Sequence, residues 1–211
     1  MSKSDEELMQ QFQTGNETAF VTIYERYKLA IYRFLYRRLG NQARAEDITQ
    51  EVFVAIIEHC KEWRQESSFK TYLYRIAHNR AISEIRRSEY KVMVDADNEA
   101  NAERVAKVAA PNSSPATSLE QQELQIKVQR ALMMVEIEYR EPIILREYEE
   151  LSYEEISVIL EIPVGTVKSR IFRGKVELKK LLEPMLSNNP EQVRKPPNVG
   201  LSSGVSDNIR T

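Results

Sequence analysis

The sequence predicts an all-α protein of two small helical domains joined by a flexible linker, and three observations predict it. Apolar residues recur at a period of 3.6 over long segments, with little strict alternation. The 211 residues include only 6 glycines and 8 prolines, with several of the prolines near the C-terminus, so the body is poor in turn formers. Between residues 90 and 118 the apolar pattern collapses. There Asp95, Asp97, Glu99 and Glu103 mingle with Ala and Asn, and PNSSPATS (111–118) reads as loop.

The elements follow in order. Ser4 before Asp5, Glu6 and Glu7 marks a helix start, because the hydroxyl caps free amides and the acids oppose the dipole. Phe20, Ile23, Tyr24, Tyr27, Ile31, Phe34 and Leu35 trace a long second helix to about Leu39, closed by Gly40 and Asn41. A third helix is predicted over 44–60 and a fourth over 68–89, separated by the polar run KEWRQES (61–67) with Trp63 as its one apolar residue. Helix resumes over 119–138 and structure ends near Leu186; residues 187–211, rich in Ser, Asn, Pro and Gly, are expected to be disordered. The expected organisation is 1–90, a linker over 91–118, a second domain over 119–186 and a tail over 187–211, as two domains on a string.

The most informative stretch is YEEISVILEIPVGTVKSRIFRGK (153–175). Ile156, Ile159 and Leu160 recur at helical spacing, and Val164, Val167 and Ile171 do so again after a break at Pro163, which cannot extend the first helix but suits the start of a second. Lys168, Arg170, Arg173 and Lys175 make the second helix cationic. A helix-turn-helix lays its second helix in the major groove, where Lys and Arg meet phosphates and guanine edges. An amphipathic hairpin with a solvated basic face is the plainer alternative.

Charge is segregated. The net charge is −2 and the pI about 5.9, so the chain is no generic polyanion binder. Residues 140–155 carry Glu141, Glu147, Glu149, Glu150, Glu154 and Glu155 against Arg140 and Arg146. Residues 168–180 carry Lys168, Arg170, Arg173, Lys175, Lys179 and Lys180 against Glu177. This predicts one side toward DNA and the other toward solvent or a basic protein. Cys60 as sole cysteine excludes an internal disulfide, and with His59 and His78 the only histidines it leaves little for a zinc site. No nucleophile–base arrangement or phosphate-cradling glycine loop is present, so neither an enzyme nor a cofactor is expected. No apolar run approaches a membrane span and the N-terminus is no signal peptide, which predicts a cytoplasmic protein without membrane insertion.

QEVFVAIIEH (50–59), FKTYLYRIAHNRAISEIRR (69–87) and LSYEEISVILEIPVGTVKSRIFRGK (151–175), in this order, resemble the extracytoplasmic-function sigma factors, the smallest members of the bacterial sigma-70 family. The resemblance covers about 19–89 and 119–182. It implies a sigma-2 module that binds core RNA polymerase, opens the promoter and recognises the minus-ten element. It likewise implies a sigma-4 module that reads the minus-thirty-five element as duplex and rests on the polymerase flap. The implied partners are core polymerase, through its beta-prime clamp and beta flap, and promoter DNA, as duplex and as non-template single strand. An anti-sigma factor is a further candidate partner.

Residue by residue, Asp47, Gln50 and Glu51 share one helical face while Ile48, Val52 and Phe53 point elsewhere. The resemblance makes that face the contact with the clamp coiled coil. Residues 63–69, WRQESSF, correspond to the loop in which such factors trap a flipped base, with Trp63, Gln65, Glu66, Ser67, Ser68 and Phe69 as candidates. The rings of Trp63 and Phe69 also suit a plain anchoring role. The helix that follows presents Lys70, Arg75, Arg80, Arg86 and Arg87 with Tyr72, Tyr74, His78 and Asn79 interleaved, which suits phosphate tracking and stacking. From it Tyr72, Arg75, Asn79 and Arg80 join the minus-ten candidates, while Leu73, Ile76, Ala77 and Ile82 are expected to face the core. The minus-thirty-five candidates are Thr166, Lys168, Ser169, Arg170, Arg173 and Lys175.

Four positions depart from the family's habit: Tyr72 replaces a common Trp, Ser83 a common Asp, and Glu150 and Glu161 common glycines. A left-handed backbone at either glutamate would cost energy. Two other readings compete, a stand-alone helix-turn-helix regulator and a degenerate sigma acting as a protein-interaction module. A regulator needs no melting loop, and the intact basic helix argues against degeneracy.

Overall fold

The computed structural model describes residues 3–95 and 119–186. Among them eight α-helices and one 3₁₀ turn occur and no strand. The order is α1 (Asp5–Gln13), α2 (Glu17–Leu39), α3 (Gln42–His59), the 3₁₀ turn (Cys60–Glu62), α4 (Phe69–Asp95), α5 (Leu119–Met134), α6 (Ile137–Glu147), α7 (Tyr153–Leu160) and α8 (Val164–Leu186). The predicted tail, 187–211, and most of the predicted linker, 96–118, lie outside the described residues. No described helix is long and apolar enough to cross a membrane.

Local chemistry explains the boundaries. Ser4 Oγ accepts from Glu7 N at 3.1 Å and Glu7 returns the bond to Ser4 N at 2.9 Å, a capping box that contributes about 1 kcal/mol. Gly40 ends α2 at φ 68°, where its N–H donates to Tyr36 O. A Cβ there would lie 2.8 Å from Met133 Cε, a flexible end that can move aside, so it is the left-handed backbone that favours glycine. Asn41 then caps α3 through Arg44 N at 3.0 Å. Two boundaries differ from expectation. α4 runs to Asp95, past the predicted linker start, and the helix expected over 119–138 breaks at Val135 and Glu136. The break is stabilised from inside: the buried Arg140 guanidinium donates to Met133 O at 2.7 Å and to Val135 O at 2.7 Å, satisfying the carbonyls that end α5.

In the first domain α1 pins α2 and α4. Asp5 accepts from Arg26 and Tyr27, and Glu6 Oε1 accepts from Phe69 N at 3.0 Å, capping α4 where the dipole favours an anion. Ile31, Phe34 and Leu35 meet Leu73, Tyr74 and Ala77 in the core, with Phe34 and Tyr74 edge-to-face at 5.3 Å. Leu73 and Ala77 face inward as expected, whereas Ile76 and Ile82 are only half-buried. Tyr74, expected among the exposed aromatics, is fully buried because helical spacing carries it onto the α2 face.

In the second domain α6 crosses α8 at Gly174. A Cβ at Gly174 would lie 2.6 Å from Ile143 Cδ1 and 3.1 Å from Tyr139 O. The Ile143 end can swing aside, but the Tyr139 backbone cannot. Gly174→Ala is therefore expected to lower stability by about 1–3 kcal/mol, measured by urea unfolding.

The turns on either side of α7 take the left-handed backbone whose cost the sequence reading named. Glu150 sits at φ 56° and Glu161 at φ 54°, both left-handed. Such a conformation costs an L-residue about 1–2 kcal/mol, and glycine's extra unfolded-state entropy returns about half. Glu161→Gly is expected to stabilise the protein by about 0.5–1 kcal/mol, seen as a raised thermal midpoint.

The domains are not beads held apart on a string. α4 packs on α7, and α2 packs on α5 and α6. Ile144, Leu145, Leu151, Ile156 and Ile159 share one apolar cluster with the first domain. Of the acidic segment 140–155, expected to meet solvent or a basic protein, Glu141, Glu149 and Glu155 meet the chain's own first domain, while Glu147, Glu150 and Glu154 stay exposed.

Candidate nucleic-acid interface

Three surfaces carry the predicted sites. On α3 the exposed stripe is Asp47, Gln50, Glu51, Val54, Ile57 and Glu58, with Ile48, Val52 and Phe53 buried beneath it. Sequence reasoning brought the first three together. It passed over Val54 and Ile57, which are about half exposed and make the stripe both acidic and apolar. They were hidden because their spacing also fits the core face.

The second surface is a groove of about 650 Å³ where the loop after α3 meets α4. Trp63, Glu66, Ser67, Tyr72, Arg75, Asn79 and Arg80 line it, all of them predicted. Gln13 builds the loop by donating to Cys60 O at 2.8 Å and Trp63 O at 3.0 Å, and Arg64 donates to Lys61 O at 2.8 Å. Two predicted readers are corrected. Trp63 is 5 % exposed and Phe69 0 %, packed edge-to-face at 6.4 Å, so their rings brace the loop and offer no face for stacking. Yet Trp63 Nε1 is buried without a hydrogen-bond partner among the described residues, an unspent donor in the groove wall. Gln65 and Glu66 are exposed, and Ser67 and Ser68 half-buried. Arg80 leans toward Glu51 at 3.8 Å, linking the groove to the α3 stripe. Tyr72 is half-buried and burial pushes its phenol up, so it stays protonated and can donate.

The third surface is α8. Ser152 and Glu155 form a second capping box at 3.1 and 2.8 Å, which fixes α7 and hence the turn that aims α8. Val167, Ile171 and Gly174 face the core, leaving Lys168, Ser169, Phe172, Arg173, Lys175 and Val176 exposed. Lys168 Nζ lies 5.4 Å from the Tyr153 ring, which steadies it. Thr166 is half-buried, and Arg170 turns away to pair with Glu138 at 3.1 Å. Lys175 pairs with Glu147 at 2.7 Å. Phe172, 70 % exposed between cations, was missed because an aromatic at helical spacing reads as core.

Between these surfaces lies the contact of the two domains. Glu141 is buried against Arg38, with Oε2 3.0 Å from Arg38 Nε, and its Oε1 meets His78 Nδ1 at 2.7 Å. The Arg38 Nε–H is not aimed to make that ion pair a hydrogen bond. Glu149 accepts from Tyr74 Oη and lies 3.9 Å from Arg37, while its backbone carbonyl accepts from Lys70 Nζ at 2.5 Å. Burial pushes the Glu149 carboxyl up, against the Tyr74 hydrogen bond and the Arg37 charge, and pushes the Arg37 guanidinium down. Glu155 Oε1 accepts from Ser68 Oγ at 3.3 Å and Thr71 Oγ1 at 3.2 Å. Burial alone would raise Glu155, but the hydrogen bonds from Ser152, Thr71 and Ser68 outweigh it and hold the carboxyl below its ordinary value.

Comparison with known proteins places these surfaces. Residues 23–90 match Sigma-70 region 2 and residues 125–178 match Sigma-70, region 4. The chain is 37 % identical over 180 residues to the ECF RNA polymerase sigma factor SigW of Bacillus subtilis, covering 84 % of this chain and 96 % of that protein. It is 31 % identical over 189 residues to the ECF RNA polymerase sigma-E factor of Escherichia coli, covering 87 % of this chain and 96 % of that one. A solved structure of the sigma factor RpoE from Bartonella quintana, in complex with the anti-sigma factor NepR, aligns with a TM-score of 0.65 at 26 % identity, covering 77 % of this chain and 96 % of that one. The α3 stripe and the α4 groove thus fall in region 2, and the α8 face lies largely in region 4. The chain belongs to the extracytoplasmic-function sigma factors of the sigma-70 family, which bind core RNA polymerase and direct it to promoter DNA.

Proposed function

We propose a division of this initiation factor's work among the three surfaces. Residues 1–90 form the polymerase-binding and minus-ten domain, 91–118 the linker and 119–186 the minus-thirty-five domain. The α3 stripe docks on the beta-prime clamp, with Asp47, Gln50 and Glu51 meeting basic groups and Val54 and Ile57 adding apolar contact. The groove receives a base flipped from the non-template strand. Gln65, Glu66, Ser67 and Ser68 read its edge, Tyr72 and Asn79 flank it, and Arg75 and Arg80 follow the backbone. On α8, Lys168, Ser169 and Arg173 reach base edges, Phe172 packs on a thymine methyl and Lys175 meets phosphate. The factor works in the cytoplasm beside polymerase and performs no chemistry of its own. An anti-sigma factor is a fitting regulator, as one accompanies the Bartonella relative.

The observation that carries this reading is the exposed basic face of α8 on the same chain as a polar groove walled by the 63–67 loop. A promoter carrying 2-aminopurine in the non-template strand of its minus-ten element tests it. Holoenzyme should produce a fluorescence rise as the base unstacks. The triple change Gln65→Ala, Glu66→Ala and Ser67→Ala should reduce that rise while core binding persists. An undiminished rise would remove the loop from base capture.

A further inference from the structure

We propose that the α4 groove also binds a free nucleotide whose base carries both a carbonyl and an amino group, a cytosine or guanine nucleotide. This ligand competes with the promoter base for the same pocket. The proposal rests on the reading of the groove as the place where a flipped base is held.

Shape is the first observation. At about 650 Å³ the groove falls in the range of small-molecule sites, which pair an apolar lining with a few placed polar groups. Tyr72, Ile76 and, from α7, Val158 supply an apolar wall against which a flat base can lie. Tyr72, Arg75, Asn79 and Ser83 follow at three- and four-residue spacing, so one face of α4 presents them in line over about 16 Å.

The second observation is that polar groups of the lining are left without partners. Among the described residues the Trp63 Nε1–H has no hydrogen-bond partner, and neither the Arg75 guanidinium nor the Glu66 carboxylate has an ion-pair partner. Each selects one part of a ligand. A buried N–H left unpaired is costly, so Trp63 favours a molecule that brings a ring carbonyl in past the exposed 64–66 side chains. Glu66 accepts from an amino group and repels a carbonyl oxygen. Cytosine and guanine carry both groups, whereas uracil lacks the amino group and adenine the carbonyl. Arg75 is free to take the phosphate. Glu62, the other carboxylate of the lining, is turned to His59 at 3.2 Å and does not oppose it. A free nucleotide brings this chemistry without the cost of melting a duplex, so promoter opening would respond to the nucleotide pool.

The chain's sole tryptophan makes the donor itself observable. Full-length protein labelled with nitrogen-15 tryptophan gives a single indole N–H resonance. It is followed while CMP, GMP, AMP, UMP or inorganic phosphate is added. CMP or GMP should shift it saturably, with affinity about tenfold or more above that of AMP or UMP, and phosphate alone should not. Glu66→Ala should narrow that preference, and Arg75→Ala should weaken every nucleotide about tenfold. In holoenzyme without nucleoside triphosphates, the preferred nucleotide should reduce the 2-aminopurine rise at the minus-ten element. An indole resonance that no nucleotide moves would overturn the proposal, as would equal shifts from all the nucleotides or from phosphate. If no nucleotide binds but the promoter base still unstacks, the groove remains a base-capture site and only the free ligand is lost. If wild-type holoenzyme gives no 2-aminopurine rise either, base capture falls with it.

Discussion

Replacing Lys168 and Arg173 together with alanine should abolish discrimination of the minus-thirty-five element and lower affinity for the matched duplex roughly a hundredfold or more. Both are exposed on α8, about 140° apart around its axis, and neither is held by an ion pair among the described residues. A Lys or Arg bidentate to guanine supplies about 1–3 kcal/mol of discrimination, and two well-separated contacts add. Arg170→Ala should do much less, because Glu138 already holds that guanidinium toward the domain's flank. Lys175 also has a carboxylate partner, Glu147, but its side chain is half exposed and can exchange that partner for a phosphate. Lys175→Ala should therefore weaken all sequences alike and reduce the salt slope by up to about one unit. Fluorescence anisotropy with matched and mutated duplexes at several salt concentrations separates these cases. Equal affinity for matched and scrambled duplex in the wild-type holoenzyme would show that α8 reads nothing.

The second large effect is expected on α3. The triple change Asp47→Ala, Gln50→Ala and Glu51→Ala should weaken association with core polymerase by about 2–5 kcal/mol, as for charged groups lost from a docked interface. Helical circular dichroism should not change, since all three side chains are exposed and the buried residues beneath them stay in place. The stripe adds Val54 and Ile57, so Val54→Ala with Ile57→Ala should lower affinity further and slow association little. A folded triple variant that binds core as tightly as the parent would move the docking site elsewhere.

Much of this was legible in the chain. Ser4 and Ser152, each with a glutamate three residues on, announced their helix starts, and Gly40 announced the end of α2. The cationic run on α8 was legible too, although Arg170 and Arg173, only about 60° apart around the axis, differ because Glu138 holds the first and leaves the second exposed. The cost at Glu150 and Glu161 was readable because a left-handed backbone penalises any L-residue that carries a Cβ.

What the sequence hid concerns partners. Trp63, Phe69 and Tyr74 have the composition of a stacking platform, yet all three are buried, since an aromatic at helical spacing serves the core and a base equally well. Glu141 and Glu149 looked like a solvated acidic face. Only the fold shows that Arg37, Arg38, Lys70 and His78, distant in sequence, converge on them. The break between α5 and α6 was hidden for the same reason, because Arg140 stabilises it from within the following helix. Charge segregation revealed that a basic partner exists, but not that it belongs to the same chain.

Transcription in vitro tests the central claim most directly. Purified protein is added to core polymerase on genomic fragments, and the start sites are mapped. The account predicts discrete starts that depend on the added protein, each preceded by one common minus-ten and one common minus-thirty-five sequence, and their loss when Lys168 and Arg173 are replaced together. Protein that binds promoter duplex alone but produces no start with core polymerase would contradict it.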